Sequence, residues 1–219
     1  MIDKTISKLV DDLKLPKTKN FWFLQYWGTW GLCFLSMAAL TVVALTLAPQ
    51  KVYFPESLGR ISYWLPSILW LGFAIFSAMI GYQSAYPGRS TTLATRINSL
   101  FLFLLLVGLV IQATPSVIAG SMNELTEGFH LSRAPCGIFI LSLGMISAIG
   151  MFFVLKRAAP TRLNFTGFWA ATSMGAIASF MMNLVCPHES ASHVFLWHIT
   201  PLLLLGTMGM RMSTRLLRW

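Results

Sequence analysis

Six apolar runs of about 20 residues each, almost free of charge, constrain this chain more than any other feature of its sequence. A helix of that length crosses a hydrocarbon core of about 30 Å. Helices are expected because lipid offers no partner to backbone N–H and C=O groups, so that each span must satisfy its own. The sequence therefore predicts an all-α polytopic membrane protein, a bundle of six transmembrane helices over residues 21–48, 63–86, 96–119, 135–155, 165–186 and 193–212.

The composition agrees with lipid as the solvent of this chain. Hydrophobic residues make up 56% of its 219 residues and charged residues only 11%. So few charges would not cover a soluble globule of this size. We expect two parts, a short cytoplasmic segment over residues 1–20 and a transmembrane domain over residues 21–219.

The basic residues predict the topology. Of the 16 lysines and arginines, all except Lys51, Arg60 and Arg133 fall on the cytoplasmic side if the N-terminus is cytoplasmic. Cytoplasmic loops carry such an excess in membrane proteins. We therefore expect a bacterial inner-membrane protein with both termini in the cytoplasm. The net charge of +9 is explained by topology, without a nucleic-acid partner.

The segment ahead of the first span has the pattern of a short amphipathic helix. One face is apolar and the other is charged, with Asp11 and Asp12 among its residues. A helix this short is marginal alone in water, so its apolar face needs a partner. Both the bilayer surface and a groove on a cytoplasmic protein fit the pattern. The apolar face comprises Ile2, Ile6, Leu9, Val10 and Leu13.

Two of the three cysteines are candidate functional residues. Cys136 and Cys186 lie at nearly equal chain distances from the turn at Pro160, so an antiparallel hairpin brings them to the same height at the outer face. Pro135 favours a helix start, which predicts that Cys136 is the more readily ionised thiol. A redox pair, a metal site and a structural role all remain open. Cys33 is expected to be a packing residue.

Further candidate metal ligands lie close to Cys186 in the chain. His188, Glu189 and His193 follow it within the last outer loop. Thiolate and imidazole together suit zinc, cadmium or copper. The spacing of these residues matches no standard zinc motif, so a metal site here is a hypothesis.

Small residues recur every fourth position along the fifth span, a pattern typical of close helix packing. No span contains a central charged side chain, which argues against an ion-coupled transporter. The sequence also lacks a phosphate loop or a nucleophile elbow, and we expect no enzymatic activity. The small residues are Gly167, Ala171, Gly175 and Ser179.

Three segments of the chain stand out: Ala134-Pro135-Cys136-Gly137, Cys186-Pro187-His188-Glu189-Ser190 and Arg215-Leu216-Leu217-Arg218-Trp219. Together they resemble the NrsF family, negative regulators of an extracytoplasmic-function sigma factor in proteobacteria. The resemblance covers nearly the whole chain, with a short N-terminal helix, six spans and a cysteine at each matching outer position. Its most specific part is the Cys-Pro-x-Glu/Asp element after the fifth span.

The resemblance implies an anti-sigma factor. Its N-terminal segment, around Ile2 to Leu13, would hold the sigma factor at the membrane. The sensor thiols would be Cys136 and Cys186, which would respond to heavy metal or oxidative stress and release the sigma factor. Two alternatives from other classes are a membrane thiol-disulfide oxidoreductase, which would use the same cysteine pair, and a small transporter.

Overall fold

A computed structural model describes residues 19–47, 61–86, 90–118, 126, 128–158, 160, 162–186 and 190–218. The predicted sigma-factor-binding residues between Ile2 and Leu13 lie outside this described part of the chain, and so do His188 and Glu189. The predictions that rest on them stay predictions.

The predicted all-α architecture is confirmed, because the described residues form six long helices. Each helix is long and apolar enough to cross a membrane. The sixth contains a π-helical turn, Phe195–Ile199, and a 3₁₀ turn, Leu131–Arg133, precedes the fourth. The helices are α1 (Lys19–Leu47), α2 (Ile61–Ser84), α3 (Thr92–Ile118), α4 (Ala134–Lys156), α5 (Leu163–Val185) and α6 (Ala191–Leu216).

Helix α3 begins four residues earlier than the predicted start at residue 96. Thr92 donates its backbone N–H to the hydroxyl of Ser90, and Thr95 donates its backbone N–H to the carbonyl of Thr91. A hydroxyl that accepts a free N–H is typical of a helix N-terminus. This local capping extends the helix beyond its apolar run.

Successive helices run in opposite directions, so the bundle has two distinct ends. We call the end that holds Cys136 and Cys186 the cysteine end, and the end that holds the start of α1 the basic end. At the basic end the Tyr26 hydroxyl donates to the Ala78 carbonyl over 2.8 Å. Ser84 and Thr166 bring α2 and α5 together there through a 3.0 Å hydroxyl contact.

Helix α5 is the centre of the bundle and packs against α1, α2, α4 and α6. Its small-residue stripe lies in these contacts and is buried throughout. One close approach is between Gly167 and Gly209 of α6, where a Cβ added to Gly167 would lie 2.5 Å from the Gly209 carbonyl oxygen. Two facing glycines let the two backbones approach closely. Such close packing matters in a membrane because lipid supplies no hydrophobic driving force between helices.

The outward faces of α1 and α3 are apolar and exposed. Leu32 is 68% exposed on α1 and Ile111 is 66% exposed on α3. Rows of exposed large apolar side chains around a bundle fit contact with lipid tails. The six helices therefore form a multi-pass membrane protein whose core is the packing around α5.

Candidate functional site

Cys136 and Cys186 lie together at the cysteine end. Cys136 is buried in the first turn of α4, just after Pro135. Cys186 follows the last residue of α5, and its backbone N–H donates to the Met182 carbonyl over 2.8 Å. Because α4 and α5 are antiparallel, the start of one meets the end of the other. The two Sγ atoms are 3.7 Å apart, so they are in contact without being bonded to each other in a disulfide.

Two histidines at the start of α6 join this pair. The Cys186 Sγ atom lies 3.2 Å from the Nε2 atom of His193. The His193 and His198 rings stand 5.5 Å apart, centroid to centroid. One donor atom from each of Cys136, Cys186, His193 and His198 lies within 4.8 Å of every other. We call these four residues the Cys₂His₂ cluster.

The structure adds neighbours of the two thiols that helix position alone does not include. Helix position alone favoured ionisation of Cys136, whereas the structure places the imidazoles beside Cys186. Cys186 lies one residue beyond the apolar span Leu163–Val185. A hydrogen bond from the Cys136 thiol, with His193 and His198 acting in the same direction, lowers the pKa of the Cys186 thiol despite its burial. Helix position is therefore only one of the factors that set which thiol ionises more readily.

The loop ahead of α4 packs over the start of α6, beside the Cys₂His₂ cluster. The Trp197 indole N–H donates to the Gly128 carbonyl over 2.8 Å. A Cβ at Gly128 would clash with the backbone N of His193, so this close approach requires glycine. His130 on the same loop is exposed and does not belong to the cluster.

The structure separates the predicted metal ligands from one that the sequence did not suggest. His193 is in the cluster, whereas His188 and Glu189 lie outside the described residues. His198 is the missed member. It lies five positions after His193. In a regular α-helix, which turns about 100° per residue, that spacing would put the two side chains on different faces. Only the π-helical turn, absent from any sequence pattern, returns His198 to the same face.

Cys33 does not take part in the cluster. It is half-buried on α1, packed against the core, and its carbonyl accepts a hydrogen bond from the Ser36 hydroxyl. This environment agrees with a packing role.

The Cys₂His₂ cluster supports two kinds of chemistry. The cysteine pair can be oxidised to a disulfide, since the Sγ atoms are already neighbours. The four donors can instead hold a thiophilic metal ion, for which thiolate and imidazole are preferred ligands. Both reactions would link helix ends that are distant in the chain.

Comparison with known proteins identifies the relatives of this chain. A family model described as NrsF, negative regulator of sigma F, matches residues 17–219. A protein of Azospira oryzae named probable anti-sigma-F factor NrsF is 29% identical over 97 residues, which cover 44% of this chain and 45% of that relative. The alignment therefore spans less than half of that relative's length. No solved structure matches.

Proposed function

Because this chain belongs to the NrsF family of negative regulators of sigma F, we propose that it is a membrane-bound anti-sigma factor. The family match over residues 17–219 is the observation that carries this function. Its partner is a sigma factor of the extracytoplasmic-function type. The protein lies in the bacterial inner membrane with both termini in the cytoplasm, and its role is regulatory rather than enzymatic.

In this proposal the sigma factor binds the segment ahead of α1. The apolar face predicted between Ile2 and Leu13 needs a partner, and a groove on the sigma factor would cover it. Helix α1 begins at Lys19, only a few residues later. A sigma factor bound to this segment would therefore be held at the membrane.

The cysteine end is the proposed sensor of heavy metal or oxidative stress. Its support is the 3.7 Å contact between the Sγ atoms of Cys136 and Cys186. An oxidant would bond these two atoms to each other, and a thiophilic cation would bond to both. Either event changes the contact between the start of α4 and the end of α5.

Helix α5 is the proposed relay between the two ends. It runs from the cysteine end to Thr166, whose hydroxyl contacts Ser84 on α2. Helix α2 in turn accepts the Tyr26 hydrogen bond from α1. A displacement of α5 can therefore reach the start of α1, and a tenfold change in affinity for the sigma factor needs only about 1.4 kcal/mol of coupling.

The binding half is tested by co-purification of the full-length protein with sigma factors from the same cell. We expect Ile6→Asp and Leu9→Asp to abolish recovery of the sigma factor, because each places a charge on the apolar face. Ser7→Asp is the matched control, since it adds the same charge to the polar face and should retain the partner. Full recovery with Ile6→Asp and Leu9→Asp would contradict this binding element.

The sensing half is tested by adding cadmium or a thiol oxidant to the same cells. Release of the sigma factor should occur in the wild type and in Cys33→Ser, but not in Cys136→Ser or Cys186→Ser. Undiminished release from both of these variants would exclude the sensor while leaving the anti-sigma function intact.

A further inference from the structure

We propose that Cys136, Cys186, His193 and His198 form a closed, four-coordinate site for a divalent cation of the zinc group, Zn²⁺ or Cd²⁺. This deepens the proposed function, because it names the ligand that the sensor takes and adds both histidines to it. Metal binding itself can be measured without any sigma factor.

The distances in the cluster match those between ligands of a tetrahedral zinc ion. With Zn–S bonds of about 2.3 Å, two tetrahedral thiolate ligands lie about 3.8 Å apart. The Sγ atoms of Cys136 and Cys186 are 3.7 Å apart. A thiolate and an imidazole nitrogen on the same ion would be separated by about 3.6 Å. The Cys186–His193 contact of 3.2 Å needs a side-chain adjustment of a few tenths of an ångström to reach this value.

His198 supplies an independent observation. Its side chain is 1% exposed, and neither of its ring nitrogens makes a hydrogen bond of good geometry with the described residues, although the Cys186 thiol is near. Buried polar nitrogens are normally paired, and an exception calls for an explanation such as an ion. One of these nitrogens lies within 4.8 Å of the other three donor atoms. A metal ion bound there would give it a partner.

The π-helical turn supplies a third observation. The Thr200 backbone N–H donates to the Phe195 carbonyl, five residues earlier, instead of to Leu196 four residues earlier. Such single π-turns inside α-helices occur frequently at functional sites. Here the turn brings His198 to the side of His193, and thus completes the donor set. Without it, the cluster would have three members.

The chemistry of the donors selects the class of metal. Two thiolates and two imidazoles favour zinc-group ions over Mg²⁺ or Ca²⁺, which prefer oxygen ligands. Two thiolates also neutralise a divalent charge, so that the occupied site is electrically neutral. Neutrality matters because three of the four residues are buried, where an unpaired charge is unfavourable.

A cation in this site would join three helices at one end of the bundle. Cys136 belongs to α4, Cys186 ends α5, and His193 belongs to α6. The thiolates that bind the cation are also those that an oxidant would bridge. Metal binding and disulfide formation therefore exclude each other, and the bound ion would protect the pair from oxidation.

The test uses the full-length protein, purified in detergent and free of metal, with Cys33→Ser in every sample. Cd²⁺ is titrated and followed through its ultraviolet thiolate charge-transfer absorbance, and Zn²⁺ is then added as a competitor. We expect one Cd²⁺ per chain, displaced by Zn²⁺. His193→Ala and His198→Ala should each weaken binding by about tenfold or more, since even the loss of an outer-shell partner costs about 10–100-fold.

The controls separate the loss of a ligand from the loss of structure. His130→Ala removes an exposed histidine outside the cluster and should bind Cd²⁺ like the parent protein. His198→Cys supplies a different soft ligand and should restore much of the affinity that His198→Ala loses, which a general packing defect would not allow. Helical content by circular dichroism should stay constant in each variant.

Two results would overturn the site. One is the absence of saturable binding at one Cd²⁺ per chain. The other is unchanged affinity in both His193→Ala and His198→Ala, which would show that the thiols bind alone. Because no sigma factor is present, neither result bears on the anti-sigma function. Tight Cd²⁺ binding without release of the sigma factor in cells would instead contradict the sensing half of the proposed function.

Discussion

The Sγ atoms of Cys136 and Cys186 lie 3.7 Å apart although fifty residues separate them in the chain. One thiol sits at the start of a helix and the other just past the end of its antiparallel neighbour. His193 then brings the start of a third helix against Cys186. The ends of three helices thus meet at these side chains. Oxidation of the thiols or binding of a metal ion there would therefore act on the packing of the bundle.

We predict that a mild oxidant closes a Cys136–Cys186 disulfide within one chain. Treatment of the metal-free protein with diamide should oxidise the two thiols to one disulfide per chain. The two protons and two electrons that are lost pass to the diamide. Peptide mapping by mass spectrometry should find the two cysteines linked. Cys33→Ser should react identically. A linkage to Cys33, or a linkage only between chains, would contradict the arrangement described.

We predict that Gly209→Leu disrupts the contact between α5 and α6. Its side chain would meet the Gly167 carbonyl oxygen, since an added Cβ alone would lie 2.6 Å from it. Overpacking typically costs about 1–3 kcal/mol, and backbone on the opposing side leaves little room to adjust. The midpoint of thermal unfolding in detergent should fall by several degrees. Gly31→Leu is the matched control, because nothing lies within 4 Å of a Cβ at Gly31.

We predict that Trp197→Phe exposes the cysteine pair. The substitution keeps an aromatic ring but removes the hydrogen bond to the Gly128 carbonyl. At about 1 kcal/mol for such a bond, the loop ahead of α4 should open about fivefold more often. Alkylation of Cys136 and Cys186 should accelerate by a similar factor. Trp169→Phe, whose indole N–H has no hydrogen-bond partner among the described residues, should leave the rate unchanged.

We predict that the cysteine end faces the periplasm and the basic end the cytoplasm. In a background without native cysteines, Leu131→Cys marks the cysteine end and Arg157→Cys the basic end, and both positions are exposed. A membrane-impermeant maleimide should label only Leu131→Cys in spheroplasts and both in broken membranes. The opposite pattern would reverse the topology and move the sensor to the cytoplasm.

The sequence by itself determined the architecture. Crossing a bilayer requires only enough apolar length, which is a local property, and all six predicted helices are present. The match in height of Cys136 and Cys186 also followed from the sequence, because an antiparallel pair with a short turn and a fixed rise per residue places equidistant residues level. The small-residue stripe from Gly167 to Ser179 likewise marked the helix that others approach closely.

Only the tertiary structure decided which side chains meet. The rise per residue fixes how high a residue lies along its helix. Whether two side chains touch also depends on how each helix is rotated about its axis, and the packing of α5 against its neighbours sets that rotation. It directed Cys136 towards Cys186 and placed His193 against the latter. The π-helical turn, which no apolar period encodes, then brought His198 into the same cluster. For this reason the spans could be predicted from the chain, whereas the fourth donor could not.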